Sequence, residues 1–271
     1  MGPSASVIDM LTKRNQALQA ADPHHVTLSI VNHWISTSRH ASGVWPSTHY
    51  IKVYENTSLV LGADPYPWRN ASSTHDIGVE AWEISDVVSA FGPKGNRLRA
   101  TTCVAQLFDY GAFKPLSLGW TEPPFAVKRA MTWLELVMGC GGVLQYCWKD
   151  QFLESKRAGQ PAVAANSSTV ARRMKEMQSI GIELLQYLHL FASGERNTTD
   201  LHLSVSAGKH THAALFGGDQ NKTLFVVNAA NAKETVDIEH CTTFDLYKCR
   251  NMAQKTLHMA PWDVQIVPVP W

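Results

Sequence analysis

Leu59-Val60-Leu61-Gly62-Ala63-Asp64-Pro65-Tyr66-Pro67-Trp68 is the stretch on which the fold turns. Its first five residues form a short apolar run without polar alternation, the pattern of a strand buried on both faces of a parallel sheet. Asp64 stops the run. Pro65 and Pro67 cannot donate to a strand ladder and restrict the residues before them, so Tyr66 and Trp68 are held in a rigid loop. In α/β architectures, chemistry collects where parallel strands end at their carboxyl side. An aspartate beside a tyrosine and a tryptophan there can grip a sugar, with aromatic faces on pyranose CH groups and a carboxylate on hydroxyls. The same residues also read as a proline-rich turn with an Asx-type aspartate.

Outward from this stretch the same grammar repeats. Residues 26–31 form a second apolar run, which ends at Asn32-His33-Trp34. Before it, residues 7–21 carry Ile8, Leu11, Leu18 and Ala21 at roughly helical spacing, stopped by Asp22-Pro23. After the central stretch, residues 77–91 show a helical pattern closed by Gly92-Pro93. Residues 101–108 are β-branched and apolar and end at Asp109. Thr121, with Pro123 and Pro124, announces a helix over 125–138 that stops at Gly139. Residues 142–148 read as a strand, and 170–191 give the longest helical pattern of the chain. Strand and helix alternating four times predict a parallel sheet with helical crossovers.

From Leu201 the pattern changes to short strands, expected at 201–205, 212–216, 223–228, 234–238, 244–248, 256–259 and 264–269. That spacing predicts an antiparallel β-sandwich. The expected division is therefore 1–195 for the β/α part and 200–271 for the sandwich.

Composition narrows the function classes. With 24 basic and 23 acidic residues the net charge is +1, which argues against nucleic acid or an anionic membrane as the main partner. No run reaches the length of a transmembrane helix. Asn-x-Ser/Thr sequons occur at Asn56, Asn70, Asn166, Asn197 and Asn221, an excess that predicts a glycosylated, secreted or extracellular protein. The amino terminus shows no signal peptide, so the expectation carries with it an incomplete amino end. Cys241 and Cys249 flank a hairpin-like segment and are the expected disulfide, while Cys103, Cys140 and Cys147 lie in apolar runs and are expected as buried thiols. The twelve histidines show no zinc-site spacing, and no phosphate loop or Gly-x-Ser-x-Gly elbow is present. No metal and no cofactor is expected.

The order Ala63-Asp64-Pro65-Tyr66-Pro67, then Val104-Ala105-Gln106-Leu107-Phe108, then Arg129 through Trp133 and Gly139 through Trp148, resembles the second half of glycoside-hydrolase-type (β/α)8 barrels. The resemblance implies an α/β fold: half of a (β/α)8 TIM-like barrel, about four β/α units, followed by a small antiparallel β-sandwich. It implies a protein that acts on or binds carbohydrate. It also implies an acid at the end of the fourth barrel strand, outside this chain, and a glutamate after the seventh, where this chain has Gln106-Leu107-Phe108-Asp109. Glycosidases set two carboxyl groups across the scissile bond, about 5 Å apart for retention and about 6.5–9.5 Å for inversion.

Asp64 and Asp109 are the catalytic candidates, with Asp150 at a third strand end. Asn32, His33, Tyr66, Trp68, Gln106, Tyr146 and Trp148 are the substrate-binding candidates; each also has a plain structural reading as a loop or packing residue. The expectation is a chain inactive alone, completed by another chain with the missing half, by a homo-oligomer or by an extracellular assembly. The alternative is a non-catalytic extracellular glycoprotein with a structural or saccharide-binding role.

Overall fold

The computed structural model describes residues 4–31, 54–64, 66–68, 77, 101–109, 121–154, 163–192, 196–197, 201–205, 210–217, 222–241 and 252–269. In chain order these hold α1 (Ala5–Ala21), β1 (Leu28–Val31), β2 (Val60–Ala63), β3 (Thr101–Gln106), α2 (Phe125–Val137) and β4 (Gly142–Tyr146). A 3-10 turn (Lys149–Phe152), the small hairpin of β5 (Leu153–Glu154) and β6 (Val163–Ala164), and α3 (Ser167–Ala192) follow. Then come β7 (Arg196–Asn197), β8 (Leu201–Val205), β9 (Thr211–Phe216), β10 (Thr223–Asn228), β11 (Glu234–Cys241), β12 (Met252–Met259) and β13 (Val264–Pro268). The expected helix at 77–91, apart from residue 77, and the expected strand at 244–248 lie outside the described residues.

The apolar runs pair in parallel, in the order β1-β2-β3-β4. Every residue of β3 is buried, the polar Gln106 at its end included, as expected for a strand covered on both faces of a parallel sheet. β2 crosses its neighbours closely at Gly62. A Cβ built there would lie 2.6 Å from Ile30 Cδ1 and 2.7 Å from the Thr102 carbonyl oxygen, so only glycine fits.

α2 is the centre of the molecule. Val127, Ala130, Trp133 and Leu134 are at most 2 % exposed, and they share one apolar cluster with Leu190 of α3 and with Phe216, Phe225 and Val227 of the antiparallel part. Trp133 stacks on Phe225 at 5.2 Å, and Phe225 receives Tyr187 edge-on at 5.4 Å. Each such aromatic burial is worth about 1.5–3 kcal/mol in removed apolar surface. The packing therefore runs unbroken across the boundary expected between residues 195 and 200. Polar ties cross it as well: Arg129 donates to the Val264 carbonyl, Arg196 to that of Val137, and the Ile77 amide to that of Ala229.

The carboxyl-terminal part is two antiparallel sheets, β13-β10-β9-β7 and β12-β11-β8. A second cluster lies between them, built from Ala213, Leu215, Leu224 and Val226 on one sheet and Val236, Ile238, Leu257 and Met259 on the other. Period-two alternation explains both clusters. Odd residues of β9 and even residues of β10 meet the facing sheet, while Ala214, Phe216, Phe225 and Val227 turn toward α2 and α3.

An ion network fastens α2 to α3. Lys128, 1 % exposed, donates to Glu122 and, at 2.7 Å, to Glu176. Arg173 is also buried and reaches Glu122 at 2.9 Å and the carbonyls of Gln151 and Leu153. Burial works against the Glu122 charge, but Arg172, Arg173 and Lys128 outweigh it and hold the carboxyl down at about 2.

The cysteines correct one expectation. Cys103 on β3 and Cys140, just before β4, form a disulfide with Cα atoms 6.1 Å apart, rather than two buried thiols. The loop Gly139-Cys140-Gly141 returns the chain beside β3, where the Gly141 amide donates to the Thr101 carbonyl, and this brings the sulfurs together. Cys147 is free. Cys241 ends β11, and the other member of the expected pair, Cys249, lies outside the described residues.

Candidate functional site

The carboxyl ends of β2, β3 and β4 are neighbours because the strands are parallel and adjacent. Asp64 follows β2 directly, Phe108 lies two residues after β3 and Tyr146 ends β4, and three rings converge there. Tyr66 meets Phe108 edge-on at 5.0 Å and stacks on Tyr146 at 5.8 Å, and Phe108 meets Tyr146 edge-on at 5.8 Å. Tyr146 is 46 % exposed, so the cluster has a solvent face. Beyond it, Trp148 is 63 % exposed and packs edge-on against Phe152. Phe108 and Phe152 were not among the candidates; their signal is that each follows a strand end by a few residues, as Tyr66 does.

Charge joins the aromatic rim. The Cys147 thiol, partial burial and the carboxylates of Asp150 and Asp64 push the Tyr146 phenol above its ordinary value. Burial and a hydrogen bond with Asp150 push the Cys147 thiol up, which keeps it protonated and unsuited to nucleophilic attack. Asp64 is half-buried at the end of β2. Asp109 and Asp150 are buried, at 7 % and 4 % exposure.

Two candidates have structural roles instead. Trp68 is 2 % exposed and belongs to the central cluster, edge-on to Trp262 at 5.4 Å, so it offers no face to a ligand. Gln106 is fully buried: its Oε1 accepts from the Trp68 amide at 3.0 Å and its Nε2 donates to the Trp68 carbonyl at 3.1 Å. This two-point clamp draws the loop after β2 inward and spends both ends of the amide. Asn32 and His33 lie outside the described residues, as do Trp34 and Trp120.

Of the sequons, Asn56 and Asn166 are exposed, and Asn197 stands on β7. The Asn166 side-chain oxygen caps α3, accepting from the Thr169 amide at 2.8 Å and the Ser168 hydroxyl at 2.7 Å. Asn70 and Asn221 lie outside the described residues. Among the described residues no group of three or more His, Cys, Asp or Glu is placed to hold a metal ion. No helix there is long and apolar enough to cross a membrane.

No family model and no curated protein matches the sequence. Among solved structures the chain is similar to AmyP in complex with maltose, at 9 % identity and a TM-score of 0.48, covering 96 % of this chain and 61 % of that one. It is also similar to an Anoxybacillus alpha-amylase, at 9 % identity and a TM-score of 0.44, covering 96 % and 56 % of the two chains. A glycoside hydrolase family 5 protein from Bacteroides vulgatus aligns at 10 % identity and a TM-score of 0.36, over 82 % and 57 %. The chain thus spans less than two thirds of the length of these structures, and likenesses this distant assign it to no family.

Proposed function

We propose that the carboxyl rim of the parallel sheet is a carbohydrate-binding face of a glycoside-hydrolase-like unit. In this reading the unit is half of a (β/α)8 barrel followed by a β-sandwich, and the chain alone does not hydrolyse glycosides. One observation carries it: Tyr66, Phe108 and Tyr146 form a ring cluster at three adjacent strand ends, with Trp148 and Phe152 exposed beyond it and the Asp64 carboxylate close by. Aromatic faces and a carboxylate are what a pyranose offers partners for, in CH groups and hydroxyls respectively. Asn32 and His33, the next two residues in sequence after β1, are included in the proposal as binding residues.

Hydrolysis needs a proton donor and an opposing carboxylate across one bond. Asp64 is a rim carboxylate, whereas Asp109 is buried, so the pair supplies one of the two roles at most. The other comes from an amino-side half with its own acid. Gln106, where the resemblance implies a glutamate nearby, is committed to holding Trp68. That commitment also favours the second reading, a non-catalytic extracellular glycoprotein that binds saccharide or serves a structural role. The Cys103–Cys140 disulfide supports a secreted or extracellular location, as do the exposed sequon residues Asn56 and Asn166. Carbohydrate is the proposed partner, without nucleic acid or a membrane span.

Calorimetric titration of the chain with a panel of neutral oligosaccharides tests the reading. A member of the panel binds without being cleaved, and Trp148→Ala weakens it roughly tenfold, the loss of one stacking face. Cleavage by the isolated chain that disappears in Asp64→Asn overturns it.

A further inference from the structure

α1 sits beside the parallel sheet without burying a single residue. A helix in that position normally presents one apolar stripe to the strands, and Ile8, Leu11 and Leu18 follow that spacing. The place between them, one turn after Leu11, is taken by Arg14 and Asn15 instead. Polar residues stand across from this break as well. They are Thr27 and Ser29, period-two neighbours at the start of β1, and Thr57, in the turn before β2.

Polar meets polar here, so the helix is propped off the strands. Asn15 is the prop: its Nδ2 donates to the Asn56 carbonyl at 3.1 Å and its Oδ1 accepts from the Thr27 hydroxyl. The Thr27 oxygen also accepts from the Leu59 amide at 3.0 Å, and the Thr57 hydroxyl donates to the Tyr54 carbonyl at 2.8 Å. Between helix and strand this leaves a cleft of about 320 Å3, at the small end of the range for ligand sites.

Two groups lining the cleft keep their hydrogen-bonding capacity. The Arg14 guanidinium and the Ser29 hydroxyl have no hydrogen-bond or ion-pair partner among the described residues. Lys13, beside Arg14 in sequence, is by contrast paired with Asp9 at 2.8 Å. No acidic residue lines the cleft, while Leu11 and Leu18 give it apolar wall. An exposed arginine alone is ordinary. One that shares a cleft with an unpaired hydroxyl, leucine side chains and no carboxylate defines the polarity of what fits there.

We infer that this cleft binds a small monocarboxylate with an apolar body. The guanidinium fork matches a carboxylate with two parallel hydrogen bonds, and Ser29 can donate a third. The leucines favour an apolar body over a polyhydroxylated one, so the cleft differs from the aromatic rim in what it takes. A phosphate monoester carries close to two charges and is poorly matched by a single cation.

Titration of the 271-residue chain with sodium hexanoate, followed by calorimetry and by amide chemical shifts, tests the site. Saturable binding below about 10 mM is expected, with shifts confined to residues 11–18, 27–29 and 57. 1-Hexanol keeps the apolar body and lacks the charge, and it should bind at least about tenfold more weakly. Arg14→Gln should weaken hexanoate by a similar factor and leave Tm unchanged, because Arg14 is exposed and unpaired. Ser29→Ala should weaken it by about threefold. No saturation by hexanoate, equal binding of 1-hexanol, an affinity unchanged in Arg14→Gln, or shifts elsewhere would each overturn the inference. Inorganic phosphate bound more tightly than hexanoate would overturn it too, since charge alone would then decide the binding.

Discussion

Gly62 and Glu135 show how single positions are constrained in this molecule. At Gly62 even one methyl group meets backbone, the Thr102 carbonyl, and cannot be accommodated by a rotamer change. Gly62→Ala is expected to cost about 1–3 kcal/mol, read as a shift of the denaturation midpoint. Glu135, in the middle of α2, is 2 % exposed and its Oε2 has no hydrogen-bond partner. Burial raises its carboxyl well above the ordinary range, so the folded state holds a proton that the unfolded chain releases near pH 4.3. Its contribution to stability is thus greatest in acid and declines as pH rises above about 4.3 toward its folded value. Glu135→Gln keeps the shape and removes the titration. The variant should gain on the wild type progressively as pH rises, which denaturant titrations at several pH values will show.

Among the elements, α2 and the ion network that ties it to α3 act in the opposite sense. Glu122 is held down at about 2. Its stabilisation is fully present above the unfolded value near pH 4.3 and disappears as pH falls toward about 2. Glu122→Gln leaves Lys128 and Arg173 buried with less than their full complement of charge, at an expected cost of about 3–5 kcal/mol in thermal or chemical denaturation.

At this scale the sequence was legible, because the strands of the parallel sheet are largely apolar runs followed by polar residues and each long helix repeats its apolar residues. The predicted 101–108 and 142–148 runs became β3 and β4 within a few residues, and 170–191 became α3. What composition could not reveal was which way a side chain turns after a strand ends. Trp68 and Trp148 look alike in sequence, yet the Gln106 clamp pulls one into the core while the other stands 63 % exposed. Gln145, on the neighbouring strand β4, is the same residue type as Gln106, and type alone does not tell which of the two makes a clamp.

For the whole molecule the decisive contacts are long-range and were the least legible. The Cys103–Cys140 pair depends on how the α2 segment returns beside β3, which no spacing of cysteines encodes. Non-reducing peptide mapping should recover that bridge, and Cys103→Ser with Cys140→Ser should cost about 2–4 kcal/mol. The central cluster that joins α2, α3 and β10 likewise needed the packing of three separate segments.

The rim is the claim on which the functional account stands, and hydrogen exchange of the chain with and without a bound neutral oligosaccharide tests it most directly. Protection confined to residues 64–68, 106–109 and 146–152 is the predicted result. Protection on β11 and β12, with these three segments unchanged, would contradict it.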